Sequence, residues 1–432
     1  MNFKKTFCSS PWFHIRLNNT GTYEPCRWQS GPNKKEFDPI NNISNISPLT
    51  YFQNHMSQFR SDMLSGKKSL ICNDCYIMEE HGKVSGRQRQ LLKSGIQEQY
   101  FEKSLISSPM KPSFDYSFAN NGKTDHFITD WQIDLGNYCN SNCVFCGPKN
   151  SSRLATEYKQ LGLINELPPA NWCDNEELVK AFVEDLKTIP DMQYLHFIGG
   201  ETLITPAFKK ILTELAEADL AKNIVVGFTT NLTVWQQSMI DLLAQFKQIN
   251  LGMSVETLTP INDYVRYPSQ ISQVQELLDR WVDAGRQHDW LMQLRTTPTC
   301  LTLHELTTVY DYAWKHDLSV ESCNFLDRPE YMRISVLPIE YRNKIKQEIS
   351  TWLEQHVADS QTKVINTRDP NVSRSQLVQD VQSYLNYLSN TQDESHRLPD
   401  LIKYLKLIES NRGNSILTYL PQYEELFRSA GY

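Results

Sequence analysis

At 432 residues, with 43 Lys/Arg against 50 Asp/Glu and a net charge of −7, the chain is long enough for a large buried core in two or three structural units and too acidic for a general nucleic-acid binder. Its longest uncharged stretch, Asn223 to Ile240, is interrupted by Asn, Gln, Thr and Gly and makes a poor membrane span. The opening Met-Asn-Phe-Lys-Lys leads to Cys8, Pro11 and His14 rather than to an apolar run, which argues against a signal peptide and for a reducing cytoplasm, with no membrane and no nucleic acid as partner.

Charge is uneven along the chain. Residues 1–109 carry 14 Lys/Arg against 9 Asp/Glu (+5), leaving 29 against 41 (−12), which places a boundary near residue 110 and allows at most a mildly basic face toward an acidic partner. The first unit, 1–110, holds Cys8, then Gly21-Thr-Tyr-Glu-Pro-Cys26, then Cys72-Asn-Asp-Cys75. The alternating stretch His14–Asn18 followed by Asn19-Thr-Gly21 predicts a hairpin that returns Cys26 beside Cys8, and a helical segment, 49–64, carries the chain to the CxxC. Four thiolates close a metal site, and the residues alone leave an iron–sulfur cluster and a structural zinc both open. Beyond Cys75 a helical run to about Lys103 carries Lys83, Arg87, Arg89 and Lys93, read as a solvated face, and 107–124 reads as a linker.

From Asp130 the pattern becomes strand, loop, helix, repeated. Strands are expected at 132–136, 194–198, 224–229, 248–255, 291–297 and 319–325, with helices at 176–188, 206–221, 235–246, 272–287 and 303–316. Six βα units imply an α/β fold with a parallel sheet, as a full or partial (β/α)6 TIM-type barrel over 125–328 whose chemistry sits at the C-terminal strand ends. The remaining unit, 329–432, reads as helical (339–354, 374–388, 397–410), without a catalytic cluster, and is expected to pack or cover substrate.

Cys139, Cys143 and Cys146 follow the first of these strands at spacings of four and three. Three thiolates on one loop are one short of a closed site, which suggests an iron–sulfur cluster with one iron left open. Phe197-Ile-Gly199-Gly200-Glu201 ends the second strand, where two glycines permit close backbone approach and the carboxylate can accept hydrogen bonds from an ammonium. Thr229-Thr-Asn231 ends the third, and Gly252-Met-Ser254-Val-Glu256 the fourth, with Arg266 downstream. Among the lone cysteines, Cys300 stands just past a strand and could face a substrate, while Cys173 and Cys323 read as inert.

The CxxxCxxC with Phe145 before its third cysteine, at the start of a βα series, resembles the signature of the radical S-adenosylmethionine superfamily. That resemblance implies a [4Fe-4S] cluster on Cys139, Cys143 and Cys146 and S-adenosylmethionine on its open iron. It further implies a GGE contact from Gly199, Gly200 and Glu201 to the methionine amine, with Asn231, Ser254 and Arg266 toward the ribose and carboxylate. Glu256 stands where the family more usually has Asp. Cys8, Gly21, Cys26 and the Cys72/Cys75 pair are similar to the opening of SPASM and twitch modules, implying a second, auxiliary [4Fe-4S] cluster, here placed before the barrel instead of after it. The implied activity is that of a radical oxidoreductase: hydrogen abstraction by a 5′-deoxyadenosyl radical in the oxidative modification of a peptide, with an electron donor such as flavodoxin or ferredoxin. The alternatives are dehydrogenation or epimerisation of a small metabolite, or a non-enzymatic iron–sulfur electron carrier.

Overall fold

A computed structural model describes residues 5–27, 40–80, 84–321, 325–358 and 374–432. Eight strands form one sheet: β1 (His14–Leu17), β2 (Tyr23–Glu24), β3 (Asp130–Asp134), β4 (Tyr194–Ile198), β5 (Val225–Thr230), β6 (Gln248–Ser254), β7 (Leu291–Arg295) and β8 (Ser319–Glu321). Their order is β2-β1-β3-β4-β5-β6-β7-β8, with β1 and β2 antiparallel and every other neighbour pair parallel. The six expected strands are β3 to β8, and the expected hairpin is β1–β2.

The hairpin does not stay within a separate amino-terminal unit. β1 pairs with β3 in the register His14↔Asp130 to Leu17↔Ile133, so a strand ladder crosses the boundary expected near residue 110. The stretch expected to be a linker contains the helix Lys111–Ala119, because Phe114 and Ser117 find partners in a second small core with Phe7, Trp12 and Phe101. Arg87, expected on a solvated face, is buried and pairs with Glu79 (2.6 Å) and with Glu98, while Arg89 is exposed. Lys83 and Cys323 lie outside the described residues.

Alternation along the strands separates two faces. Trp131, Ile133, Leu195, Phe197, Val226 and Phe228 face the helices, with Trp131 against Phe182, Phe197 against Phe208 and Phe228 against Trp281. The helices concerned, Glu176–Thr188, Pro206–Glu217 and Ile271–Gln287, present apolar stripes of period 3.6 to that face. The opposite face is polar: His14, Arg16, Asp130, Gln132, Asp134, His196 and Arg295 share it through the strand registers. The carboxy-terminal segment is helical as expected, over Ile339–Val357, Arg374–Asn390 and Leu398–Arg412. Among the described residues no helix is long and apolar enough to cross a membrane.

Candidate functional site

The loop after β3 carries Cys139, Cys143 and Cys146, and its course is set by backbone hydrogen bonds to its surroundings. Asn142 N donates to Tyr267 O (2.6 Å), Val144 N to Val265 O (2.9 Å), and Cys146 N to Cys143 O (3.0 Å). Ser151, which caps the helix Ser152–Gln160, donates from Oγ to Ser141 O (2.6 Å). A hydrogen bond with Cys146, aided by Arg266, holds the Cys143 thiol below its usual range, while the same bond and burial push Cys146 up. Burial raises Cys139 to about 11.

Arg266 lies over this loop. Its guanidinium carbon is 6.0 Å from the Phe145 ring centre, and burial, which opposes its charge, is outweighed by Cys143, Glu256, Cys146 and Cys139. Arg266 does not offer an unengaged fork, since Nη1 donates to Glu256 Oε1 (2.6 Å). Glu256 Oε2 in turn accepts from Thr297 N (2.6 Å) and Thr296 Oγ1 (3.2 Å). Here the longer acid reaches the end of β7, which an Asp would not span from the same backbone position.

Gly199 and Gly200 are small because of the loop itself. A Cβ on Gly200 would stand 2.3 Å from Tyr138 O, and one on Gly199, whose φ is +146°, 2.7 Å from Gly136 O. Gly200 N and Glu201 N donate to Gly136 O (2.7 Å) and Tyr138 O (2.8 Å), so this dipeptide pins the strand end that leads to Cys139. Glu201 is 1 % exposed; its Oε2 accepts from Asn231 N (2.6 Å) and Oε1 from Leu203 N (3.2 Å). Burial raises its carboxyl to about 7 against those two bonds. Asn231 Nδ2 then donates to Asn140 Oδ1 (2.8 Å) and Ser141 Oγ (3.0 Å), inside the three-thiol loop. Ser254, at the end of β6, stands apart from this network and opposite Arg295 on the polar face.

The four amino-terminal thiols also come together. Cys8, Cys26, Cys72 and Cys75 line one small cavity with Pro11, Phe59, Met63 and Arg87. Burial first, then the neighbouring thiols, raises Cys8, and Cys72 is pushed to about 12 in the same way. Cys8 precedes β1 and Cys26 follows the antiparallel β2, so this cavity lies at the N-terminal edge of the sheet, opposite the Cys139 loop. Among the described residues no three or more His, Cys, Asp or Glu side chains converge to grip one metal ion. A cubane cluster makes a different demand, one thiolate per iron, and a three-thiol loop and a four-thiol cavity both have donor sets of that chemistry.

Cys300, expected just past a strand end, is fully buried; its N–H donates to Met332 O (3.0 Å), and burial raises its thiol. Cys173 donates from Sγ to Leu135 O (3.0 Å). Sequence reasoning missed the polar sheet face between the two thiol sites, although the alternation Asp130-Trp-Gln-Ile-Asp134 carries it. There Arg16 lies 3.5 Å from both Glu24 and Asp134, His14 Nδ1 is 2.8 Å from Asp130 Oδ1, and Arg295 pairs with Glu321 (3.2 Å). It also missed Glu157, Tyr404 and Arg412 beside the loop, for which distant sequence positions offer no signal.

Residues 133–298 match the family model described as the Radical SAM superfamily. The chain is also similar to solved structures titled native anSMEcpe with bound AdoMet, at 18% identity and a TM-score of 0.39, covering 53% of this chain and 62% of that one. A second similarity is to Streptococcus suis SuiB bound to precursor peptide SuiA, at 12% identity and a TM-score of 0.35, covering 70% of this chain and 64% of that one. The chain thus spans less than two thirds of the length of either. Comparison with curated proteins found no match.

Proposed function

With a Radical SAM superfamily domain at residues 133–298 as the premise, we propose that the protein is a radical S-adenosylmethionine oxidoreductase built on a partial (β/α) barrel. Cys139, Cys143 and Cys146 are the residues that hold a [4Fe-4S] cluster. Bound there with S-adenosylmethionine, the cluster supplies the 5′-deoxyadenosyl radical that abstracts hydrogen from an unactivated C–H bond. The chain's own residues do the rest. Arg266 offsets the thiolate charge in a buried setting where water does not. A guanidinium has five N–H donors, so Arg266 keeps donors for the carboxylate of S-adenosylmethionine after serving Glu256. An ionised carboxylate has about four lone-pair sites, so Glu201 retains capacity for an ammonium beyond the two N–H groups it accepts. The Gly200 and Glu201 N–H groups hold the loop against the end of β4, and Asn231 ties the Glu201 carboxylate to the interior of the CxxxC segment.

The observation that carries this reading is the placement of three thiols under Arg266 at one sheet edge, with a polar face leading to four thiols at the other. We assign Cys8, Cys26, Cys72 and Cys75 to an auxiliary [4Fe-4S] cluster that accepts or relays an electron when the substrate is oxidised. The substrate lies against the polar face, where Arg16, Glu24, Asp134, Arg295 and Glu321 offer both signs of charge; a peptide fits this mixture, and a small alcohol or sugar is the second choice. Reducing equivalents come from a flavodoxin- or ferredoxin-type donor.

Anaerobic reconstitution followed by dithionite and S-adenosylmethionine tests the proposal. It expects 5′-deoxyadenosine by chromatography, absent from Cys143→Ala; no product despite an intact cluster overturns it.

A further inference from the structure

The carboxy-terminal segment reaches across the molecule onto the three-thiol loop. From the helix Leu398–Arg412, Tyr404 Oη donates to Val144 O (3.1 Å) and Arg412 Nη2 to Asn142 O (2.8 Å). Those two residues flank Cys143, and their N–H groups already donate to Tyr267 O and Val265 O. The two residues on either side of Cys143 are therefore held at both their N–H and their C=O, by two elements remote from each other in sequence.

Arg412 is itself fixed. Its Nε and Nη2 donate to Glu157 Oε1 (2.8 Å) and Oε2 (2.7 Å), and Glu157 Oε2 also accepts from Asn142 Nδ2 (3.0 Å). The two side chains are 1 % and 3 % exposed. Tyr158 Oη donates to Tyr404 Oη (2.9 Å), and the Arg412 guanidinium stacks 4.9 Å from the Tyr267 ring centre. An apolar contact would suffice to pack a helix there; burying an ion pair carries a desolvation cost that packing alone does not require. What the pair adds is a fixed direction for the Asn142 carbonyl, as the Tyr404 hydroxyl does for the Val144 carbonyl, in a loop without regular structure.

We infer that Arg412 and Tyr404 are positioning residues of the three-thiol loop, holding Cys143 in place and setting a buried positive charge beside it. The inference rests on the loop being a cluster site, and it gives the carboxy-terminal segment a part in that site.

Two measurements on the full chain test it. In metal-free protein, iodoacetamide alkylation of Cys143 is followed by peptide mass mapping, with buried Cys300 as the reporter of global unfolding. Arg412→Gln speeds Cys143 labelling roughly tenfold, the scale of one lost charge-assisted hydrogen bond, with Cys300 unchanged. Tyr404→Phe speeds it by a few-fold. In anaerobically reconstituted protein poised at one potential, Arg412→Gln lowers the reduced fraction of the cluster, because losing a positive charge disfavours the added electron, and Arg412→Lys restores it. Unchanged Cys143 labelling in both variants overturns the inference, as does a reduced fraction in Arg412→Gln equal to wild type. If Arg412→Gln also exposes Cys300, labelling of Tyr404→Phe decides, since that change removes one donor and keeps the ring. A wild-type chain that assembles no cluster sinks the reading of the loop, and the labelling contrast still decides this inference.

Discussion

Arg266 donates from Nη1 to Glu256 Oε1 over 2.6 Å, and both side chains are buried against the loop that carries Cys139, Cys143 and Cys146. The pair is the electrostatic hinge of the site: Glu256 anchors the cation to the end of β7 through Thr296 and Thr297, while the thiols draw on its charge. Removing one partner of a buried pair leaves the other charged and uncompensated. Glu256→Ala is expected to destabilise the metal-free chain by about 3–5 kcal/mol, seen as a lower urea midpoint.

Glu201 gives the site a pH dependence. Its carboxyl titrates near the ordinary 4.5 when unfolded and near 7 when folded, so between those values the folded state binds the extra proton. Stability contributed by this group is present below pH 4.5 and lost as the pH rises toward 7. Urea midpoints of the metal-free chain should therefore fall from pH 5 to pH 7.5, and Glu201→Gln should flatten that fall.

Gly200 tests whether the Gly199-Gly200-Glu201 tripeptide holds the loop. A methyl group there meets the Tyr138 carbonyl, a backbone atom that cannot swing aside. Gly200→Ala is expected to cost about 1–3 kcal/mol and to lower iron retained at the loop after reconstitution, whereas Gly147→Ala, whose Cβ would meet nothing within 4 Å, changes neither.

The four-thiol cavity makes a prediction in metal content. Two clusters would bring about eight irons and eight sulfides per chain, and Cys72→Ser/Cys75→Ser should lower both to about four while leaving cleavage of S-adenosylmethionine measurable. Four irons with one zinc in the wild-type chain would instead assign the cavity to a structural metal.

Arg87 and Arg89 separate a buried cation from a solvated one two residues away. Arg87 donates from Nη1 to Phe7 O (3.0 Å) and holds Glu79 and Glu98 under the four-thiol cavity. Arg87→Ala should cost about 3 kcal/mol and release metal from the amino-terminal thiols; Arg89→Ala should stay within about 0.5 kcal/mol of wild type.

Much of this was legible in the chain. Strand and helix periods located β3 to β8 and the helices between them, because each element's burial is a one-dimensional pattern of period 2 or 3.6. Cysteine spacing singled out the Cys139–Cys146 loop and the Cys72/Cys75 pair for the same reason, since ligands a few residues apart are close whatever the rest of the fold does, while the hairpin β1–β2 is what returns Cys26 toward Cys8. The GGE and Asn231 segments fell at strand ends, and the structure brings both to the loop. It also shows Gly199 and Gly200 packing against loop backbone, a contact that neighbouring residues in sequence do not reveal.

Tertiary structure alone decided what depends on distant encounters. The joining of β1 to β3 across the expected boundary required pairing partners more than a hundred residues apart. Arg87 counted as a surface cation until Glu79, Glu98 and the Phe7 carbonyl surrounded it, since local charge patterning does not register burial by other segments. Arg266 was legible as a cation near the site, but its engagement with Glu256 depends on where the turn after β6 is held. The grip of Tyr404 and Arg412 on Val144 and Asn142 lies furthest from sequence reasoning. A loop's unpaired carbonyls must be satisfied by something, and only the folded chain determines that a helix some 260 residues downstream supplies it.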